Sequence, residues 1–316
     1  MLSQRKRVSF QLMKIKKSVV ALAAATVALC GAPVASAQNL SSALSSALPG
    51  ILDSVVTNPG VVESYESVSV PGQGVRSYKV QVPANLNGRV DLVYGFGGMG
   101  HDSEWAESYM QFDKVTRGQA IIVYPEPTMG RNGQLAWEGP NYASTSRGQD
   151  VGFLQAIDKQ LRAKYTVGKS YGAGLSNGGG MVMAAACQAP ELFDAVVGVA
   201  TANYHRIYQG CHGFVPTMFI HGTNDDIAPF NRNGSNGHGG GYYSTRESFR
   251  RVGERNLCDT NNPAMTSHGS YDVFSMNRCA ADTKMLRLNG GGHTWFQDAA
   301  HGVDATQEAW NFFRAH

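Results

Sequence analysis

Gly174-Leu175-Ser176-Asn177-Gly178 follows an apolar, strand-like run and precedes a helix-like run rich in alanine and methionine. In that setting a serine sits at a sharp strand-to-helix turn with its hydroxyl exposed, and flanking glycines let strand and helix cross closely. Such a string says little by itself in a chain with 37 glycines. It gains weight from its downstream partners: Asp225 lies just beyond the apolar run Thr217 to His221, and His293 beyond the run Met285 to Leu288. A serine hydroxyl is a poor nucleophile until a base takes its proton. His293 is the candidate for that base, and Asp225 for the acid that fixes its tautomer and stabilises its charged form. Asp226 is the rival acid, because shifting the turn by one residue would present it instead. His221, at a strand end, reads as a packing or hydrogen-bonding residue, since His293 has the better position for proton transfer.

Attack by Ser176 would place negative charge on an oxygen, which needs donors. Asn177 offers a backbone N–H at the start of a helix, where the dipole favours an anion. The second donor is expected from the glycine-rich turn Tyr94-Gly95-Phe96-Gly97-Gly98-Met99-Gly100, with Phe96 as the residue chosen. No Gly-Lys-Ser or Gly-Lys-Thr follows that turn, so it does not read as a phosphate loop. Trp295, two residues after the candidate base, is expected to touch substrate. Trp105 and Trp137 read as core aromatics. Residues 231–241 are glycine-rich with no apolar anchor before Tyr242, and read as a pocket rim or an unstructured insertion. His205, His212 and His238 lack metal-ligand spacing, and serine chemistry calls for no metal and no cofactor.

The elements that must position these residues alternate. Val68 to Val70 and Tyr78 to Val82 read as exposed-edge strands, and Val90 to Tyr94 and Ala120 to Tyr124 as central strands covered on both faces. Asp150 to Tyr165 carries Val151, Leu154, Ile157 and Leu161 on one helical stripe. After the serine come a helix over Gly179 to Gln188, strands at Ala195 to Val199, Thr217 to His221 and Met285 to Leu288, and a closing helix over Val303 to Ala315. The alternation predicts an α/β fold with a mostly parallel sheet flanked by helices. Ser176, Asp225 and His293 would then all lie beyond strand carboxyl ends, where such sheets collect reactive groups.

Lys14, Lys16 and Lys17 precede an apolar run from Ser18 to Cys30, and Ala35-Ser36-Ala37 offers small residues for cleavage, so residues 1–37 read as a secretory signal peptide, with Met13 an alternative start. The apolar run is short for a membrane span. Residues 38–65 read as a leader and 66–316 as one catalytic domain. The formal charge of +3 is misleading, because six of the 27 basic residues and none of the 24 acidic ones fall in the first 37 positions. Without them the chain is slightly acidic, which gives no argument for nucleic-acid binding. Export permits disulfides. Cys258 and Cys279 bracket a polar segment that reads as a loop, Cys187 and Cys211 bracket a strand and its turn, and the four allow three connectivities.

The order Ser, Asp, His is that of the α/β-hydrolase triad. Together with Asp150-Val151-Gly152-Phe153, Gly174-Leu175-Ser176-Asn177-Gly178-Gly179, Pro190-Glu191-Leu192-Phe193, His221-Gly222-Thr223-Asn224-Asp225, Asn256-Leu257-Cys258, Cys279 and Gly291-Gly292-His293-Thr294-Trp295, it makes residues from about Tyr78 to His316 resemble the secreted esterases of the α/β-hydrolase superfamily: polyhydroxybutyrate depolymerase-like, LpqC-like and feruloyl esterase-like proteins. The resemblance implies Ser176, Asp225 and His293 as nucleophile, acid and base, and a Cys258–Cys279 staple ahead of the histidine. Such proteins usually carry His-Gly where this chain has Tyr94-Gly95, and Pro where it has Phe296. The expectation is a secreted or cell-envelope, monomeric serine esterase acting on a small or polymeric ester. An acyltransferase with the same triad, or a non-catalytic carbohydrate- or lipid-binding module, is the alternative.

Overall fold

In the computed structural model, residues 60–298 and 300–316 are described. The expected signal segment and most of the expected leader lie outside the described residues. Ten strands form one sheet: β1 Val61–Val70, β2 Gly74–Pro83, β3 Val90–Phe96, β4 Ala120–Pro125, β5 Val167–Leu175, β6 Ala195–Val199, β7 Thr217–Gly222, β8 Asp259–Ser267, β9 Tyr271–Asn277 and β10 Thr283–Leu288. Their order is β1-β2-β4-β3-β5-β6-β7-β10-β9-β8. The central run from β4 to β10 is parallel, and antiparallel pairs flank it on both sides. Among the described residues six α-helices accompany the sheet: α1 Ser103–Met110, α2 Phe112–Thr116, α3 Gln149–Lys164, α4 Asn177–Gln188, α5 Thr245–Arg255 and α6 Ala305–Arg314. This is the α/β-hydrolase fold.

The central strands are apolar throughout because both faces are covered. Val93, Ile122, Ala173, Val197 and Ile220 pack on one side with Trp295, Trp310 and Phe313. Leu92, Ile121, Val123 and Val196 pack on the other with Phe153, Leu154, Ile157 and Val182. Helix α4 is buried along its length apart from Gln188, which explains its alanine, methionine and glycine content: no polar face is needed.

Several segments differ from the sequence reading for identifiable reasons. β2 lies between β1 and β4 rather than at an edge. β1 extends back to Val61, since an edge strand tolerates polar residues on its exposed positions. The polar segment between Cys258 and Cys279, expected as a loop, is instead the β8–β9 hairpin that finishes the sheet. β8 is mostly exposed, so its Asn, Thr and Ser side chains face water, and Pro263 sits where the register shifts between Asp259 and Ala264. Residues 231–241 hold a short hairpin, Gly234–Asn236 against Gly240–Tyr242, docked by the Asn141 amide donating to the Gly239 carbonyl (3.0 Å). Disulfides join Cys187 to Cys211 and Cys258 to Cys279.

A buried ion pair organises the segment that backs the serine turn. Arg76 of β2 donates to Asp150 Oδ1 at 2.5 Å, while Asp150 Oδ2 accepts from the Glu138 amide and the Thr145 hydroxyl, both at 2.7 Å. The guanidinium lies 3.9 Å from the centre of the Phe153 ring. Among the described residues no helix is long and apolar enough to cross a membrane.

Candidate active site

Ser176 links β5 to α4 with φ 53° and ψ −115°, a strained positive-φ conformation that costs a non-glycine residue about 1–3 kcal/mol. Its neighbours hold it there. The Ser176 amide donates to the Val199 carbonyl (2.9 Å), and its own carbonyl accepts from the amides of Gly180 (3.0 Å) and Ala202 (2.9 Å). Gly178 is required by close approach, since a β-carbon there would collide with the backbone carbonyls of Phe96 and Gly97.

Asp225 and His293 come from the turns after β7 and β10, which are neighbours in the sheet. The two turns are tied together. Thr223 N–H donates to the Leu288 carbonyl and Asn224 N–H to the Gly291 carbonyl, each at 2.9 Å, and Gly290 N–H donates to Thr223 Oγ1 at 2.8 Å. Gly222 and Gly291 meet so closely that a side chain on Gly222 would overlap the Gly291 carbonyl. The result is a 2.8 Å hydrogen bond between His293 Nδ1 and Asp225 Oδ2. Asp225 Oδ1 accepts from the amides of Ile227 (3.0 Å) and Ala228 (2.7 Å). A second imidazole reaches the same carboxylate, with His221 Nε2 at 3.1 Å from Oδ2. Burial disfavours the charge on Asp225, but the hydrogen bonds from His221 and His293 outweigh it and hold the carboxyl well below the ordinary range. Asp226, the rival acid, is exposed and has no bond to His293.

Ser176 and His293 face one cleft of about 540 Å³, lined also by Gly98, Met99, His101, Tyr109, Ile227 and Trp295. Trp295 is 5% exposed and forms a wall: its Nε1 donates to Thr306 Oγ1 (3.0 Å), and Tyr109 packs on it with ring centres 5.9 Å apart. A second cleft of about 420 Å³ shares Met99 and His101 with the first and runs to Trp105, Met129 and Leu135. Trp105, which the sequence suggests is core, is 55% exposed, with its indole stacked on His101 at 4.2 Å. Trp137 is fully buried as expected.

Asn177 is buried with its side chain turned away from the cleft, Oδ1 accepting from the Trp137 amide (2.8 Å) and Nδ2 donating to the Trp137 carbonyl (3.3 Å). Trp137 Nε1 in turn donates to the Gly97 carbonyl at 3.1 Å, so one indole ties the start of α4 to the glycine-rich turn. Phe96 is not brought to the cleft. It is the last residue of β3, in register with Gly174, and its ring is fully buried against Trp137 and Phe193. The strand runs two residues past the apolar stretch that marks its end in the sequence, so the turn that reaches Ser176 is Gly98 and Met99. A β-carbon on Gly98 would lie 3.5 Å from Ser176 Cβ.

His101 and Tyr109 join the site without a motif to announce them. His101 Nδ1 lies 3.3 Å from the Tyr109 hydroxyl, and burial, helped by the nearby His293, lowers the His101 pKa against the opposing pull of Asp102. The one signal for them in the sequence is Asp102, whose side chain caps α1 by accepting from the Trp105 amide (2.8 Å). Among the described residues no group of His, Cys, Asp and Glu could hold a metal ion. His205 packs instead on Tyr243 and His238 on Tyr142.

A strand-to-helix serine turn, an acid and a histidine on neighbouring strand ends, and the sheet order together define an α/β-hydrolase-fold protein. No family model matches the chain. It is 30% identical over 253 residues, 76% of this chain and 84% of the relative, to "Probable feruloyl esterase C" of Aspergillus clavatus. The chain belongs to the family of α/β-hydrolase-fold esterases that includes that protein. Among solved structures, an acetyl xylan esterase from Aspergillus awamori superposes with a TM-score of 0.52 at 19% identity, covering 79% of this chain and 99% of that one. A ferulic acid esterase from Anaeromyces mucronatus, solved with ferulic acid, gives 0.51 at 13% identity, covering 81% and 90%. These two share the fold. The Aspergillus clavatus relative supports the feruloyl esterase-like part of the expected resemblance and not specifically its polyhydroxybutyrate depolymerase-like or LpqC-like parts.

Proposed function

We propose that the chain is an exported serine esterase that hydrolyses aromatic acyl esters of carbohydrates through an acyl-enzyme on Ser176. The observation that carries this reading is the His293–Asp225 hydrogen bond at the wall of a cleft that Ser176 shares with Tyr109 and Trp295. His293 Nε2 takes the Ser176 proton as Oγ attacks the ester carbonyl, then delivers it to the departing alcohol; a water repeats the sequence to release the acid. Asp225 supports the imidazolium formed in each half. The oxyanion is received by the backbone N–H of Asn177 and, from the glycine-rich turn, that of Met99. Aromatic walls suit a flat aryl acyl group in the first cleft. The second, more open cleft, with the exposed face of Trp105, suits the saccharide that carries the ester. The name of the Aspergillus clavatus relative favours the same substrate class.

The test is a panel of methyl ferulate, a feruloylated oligosaccharide, acetylated xylan and a short hydroxyacyl ester, with product analysis in the presence of an added alcohol. The feruloyl esters are expected to give the highest kcat/KM, with free acid as product. Preference for the acetyl or hydroxyacyl ester would overturn the substrate assignment, and transfer to the alcohol at the expense of free acid would make the enzyme an acyltransferase.

A further inference from the structure

His221 lies at the end of β7 with its side chain fully buried, four residues before the acid. Its Nε2 is 2.8 Å from the Ala228 carbonyl and 3.1 Å from Asp225 Oδ2. Both are acceptors, so Nε2 carries a proton; it bonds the Ala228 carbonyl, and the carboxylate oxygen lies within ion-pair distance of the same nitrogen. Its ring is set by Thr245 of α5, whose Oγ1 lies 3.1 Å from Nδ1, and by the Phe230 ring, centred 6.1 Å away. A buried imidazole is thus held with Nε2 3.1 Å from the one carboxylate oxygen that also serves His293, while its N–H bonds the Ala228 carbonyl. That is more than packing requires, because a hydrogen bond to Ala228 alone would satisfy Nε2.

We infer that His221 is a positioning residue acting through Asp225: it takes a share of the charge on Oδ2, and so keeps His293 a competent base at lower pH than a carboxylate serving one imidazole would allow. This rests on the triad reading above. A carboxylate with fewer donors is more basic and stabilises an adjacent imidazolium more strongly. Removing His221 therefore favours protonated His293, the form that cannot accept the Ser176 proton. The titratable groups facing the pair are Asp225 itself and, toward His293, His101. Thr245 from α5 and the Ala228 carbonyl and Phe230 ring from the following turn do not ionise.

The experiment compares wild type, His221→Leu and His221→Gln on one soluble ester across pH 4 to 9, with thermal melts. Gln retains an N–H donor in the region of Nε2 and Leu retains none. The acid limb of kcat/KM, which reports the free enzyme's base, is expected to move up by about one pH unit in the Leu variant. The Gln variant should return the limb toward wild type. If Leu does not fold, His221→Asn replaces it, since its shorter amide does not reach Oδ2. An unmoved limb in a folded donor-less variant, or equal displacement in the Gln variant, would overturn the inference. Failure of the triad reading is distinguishable, because it would leave Asp225→Asn active.

Discussion

Replacing Asp225 by Asn should disable the base by inverting one hydrogen bond, and the structure dictates which way the amide must sit. Oδ1 accepts two backbone N–H groups, from Ile227 at 3.0 Å and Ala228 at 2.7 Å, so the Asn oxygen must take that place. An NH₂ group there would face two donors. The NH₂ is thereby turned toward His293 Nδ1 and His221 Nε2, which lie 2.8 and 3.1 Å from the present Oδ2. His221 keeps its proton for the Ala228 carbonyl and is left facing a donor. His293 can accept only by moving its proton to Nε2, the atom that must receive the Ser176 proton. The same inversion in a serine protease triad lowers turnover by up to about 10⁴-fold, equivalent to about 5 kcal/mol of transition-state stabilisation. Purified Asp225→Asn and Asp226→Asn with matched melts should be compared on one soluble ester near neutral pH. Asp226 is exposed, so its variant should change folding stability by less than about 0.5 kcal/mol and keep turnover close to wild type. An Asp225→Asn enzyme within tenfold of wild type, or an Asp226→Asn enzyme that alone loses activity, would refute this reasoning.

Other outcomes rest on the same geometry. The folded-state pKa of Asp225 is depressed, so its contribution to stability is present above the unfolded carboxyl value near pH 4 and fades as pH falls through the folded value; the urea midpoints of wild type and Asp225→Asn should therefore converge as pH drops below about 4, and parallel curves would contradict this. Gly178→Ala should lose activity and stability together, because the added methyl meets the Phe96 and Gly97 carbonyls rather than a movable side chain; a melt and a rate within error of wild type would show the turn to be looser than described. Replacing both Cys258 and Cys279 by Ser should lower unfolding free energy by about 2–4 kcal/mol while leaving kcat nearly intact, since the link ties the ends of the β8–β9 hairpin away from the cleft; a large kcat loss with an unchanged midpoint would contradict it.

Much of the site is legible in the sequence because chemistry in this fold sits at strand ends and each strand end has a local signature. Ser176 stands between glycines at a change of hydrophobic period; the apolar run before Asp225 is dense because that strand is buried throughout, while the run before His293 keeps Met285, Leu286 and Leu288 buried between the partly exposed Lys284 and Arg287. What the sequence hides has physical causes. Gly95-Phe96-Gly97-Gly98-Met99-Gly100 offers several turns of equal merit, and only the continuation of β3 through Phe96 selects Gly98 and Met99. The β8–β9 hairpin is polar because it closes an exposed edge, so no alternation marks it. Helix α5 has no apolar stripe to reveal it, since it buries little hydrophobic surface beyond Phe249 and Val252. Its one signal is the spacing of Ser244 and Glu247, where the serine hydroxyl accepts the Glu247 amide at 3.2 Å as a helix cap. His221 reads correctly as a hydrogen-bonding residue, but its partner depends on how the turn after β7 folds back.

The central claim is that Ser176 becomes covalently acylated. Intact-mass and peptide spectrometry of enzyme quenched in acid during turnover of a feruloyl ester, alongside labelling with a serine-directed phosphonate, tests it directly. The account predicts a feruloyl adduct on the peptide containing Ser176 in wild type quenched early in turnover, and neither adduct nor phosphonate label in folded Ser176→Ala. Full phosphonate labelling or undiminished turnover in Ser176→Ala, or an acyl adduct mapped to another residue, would contradict it.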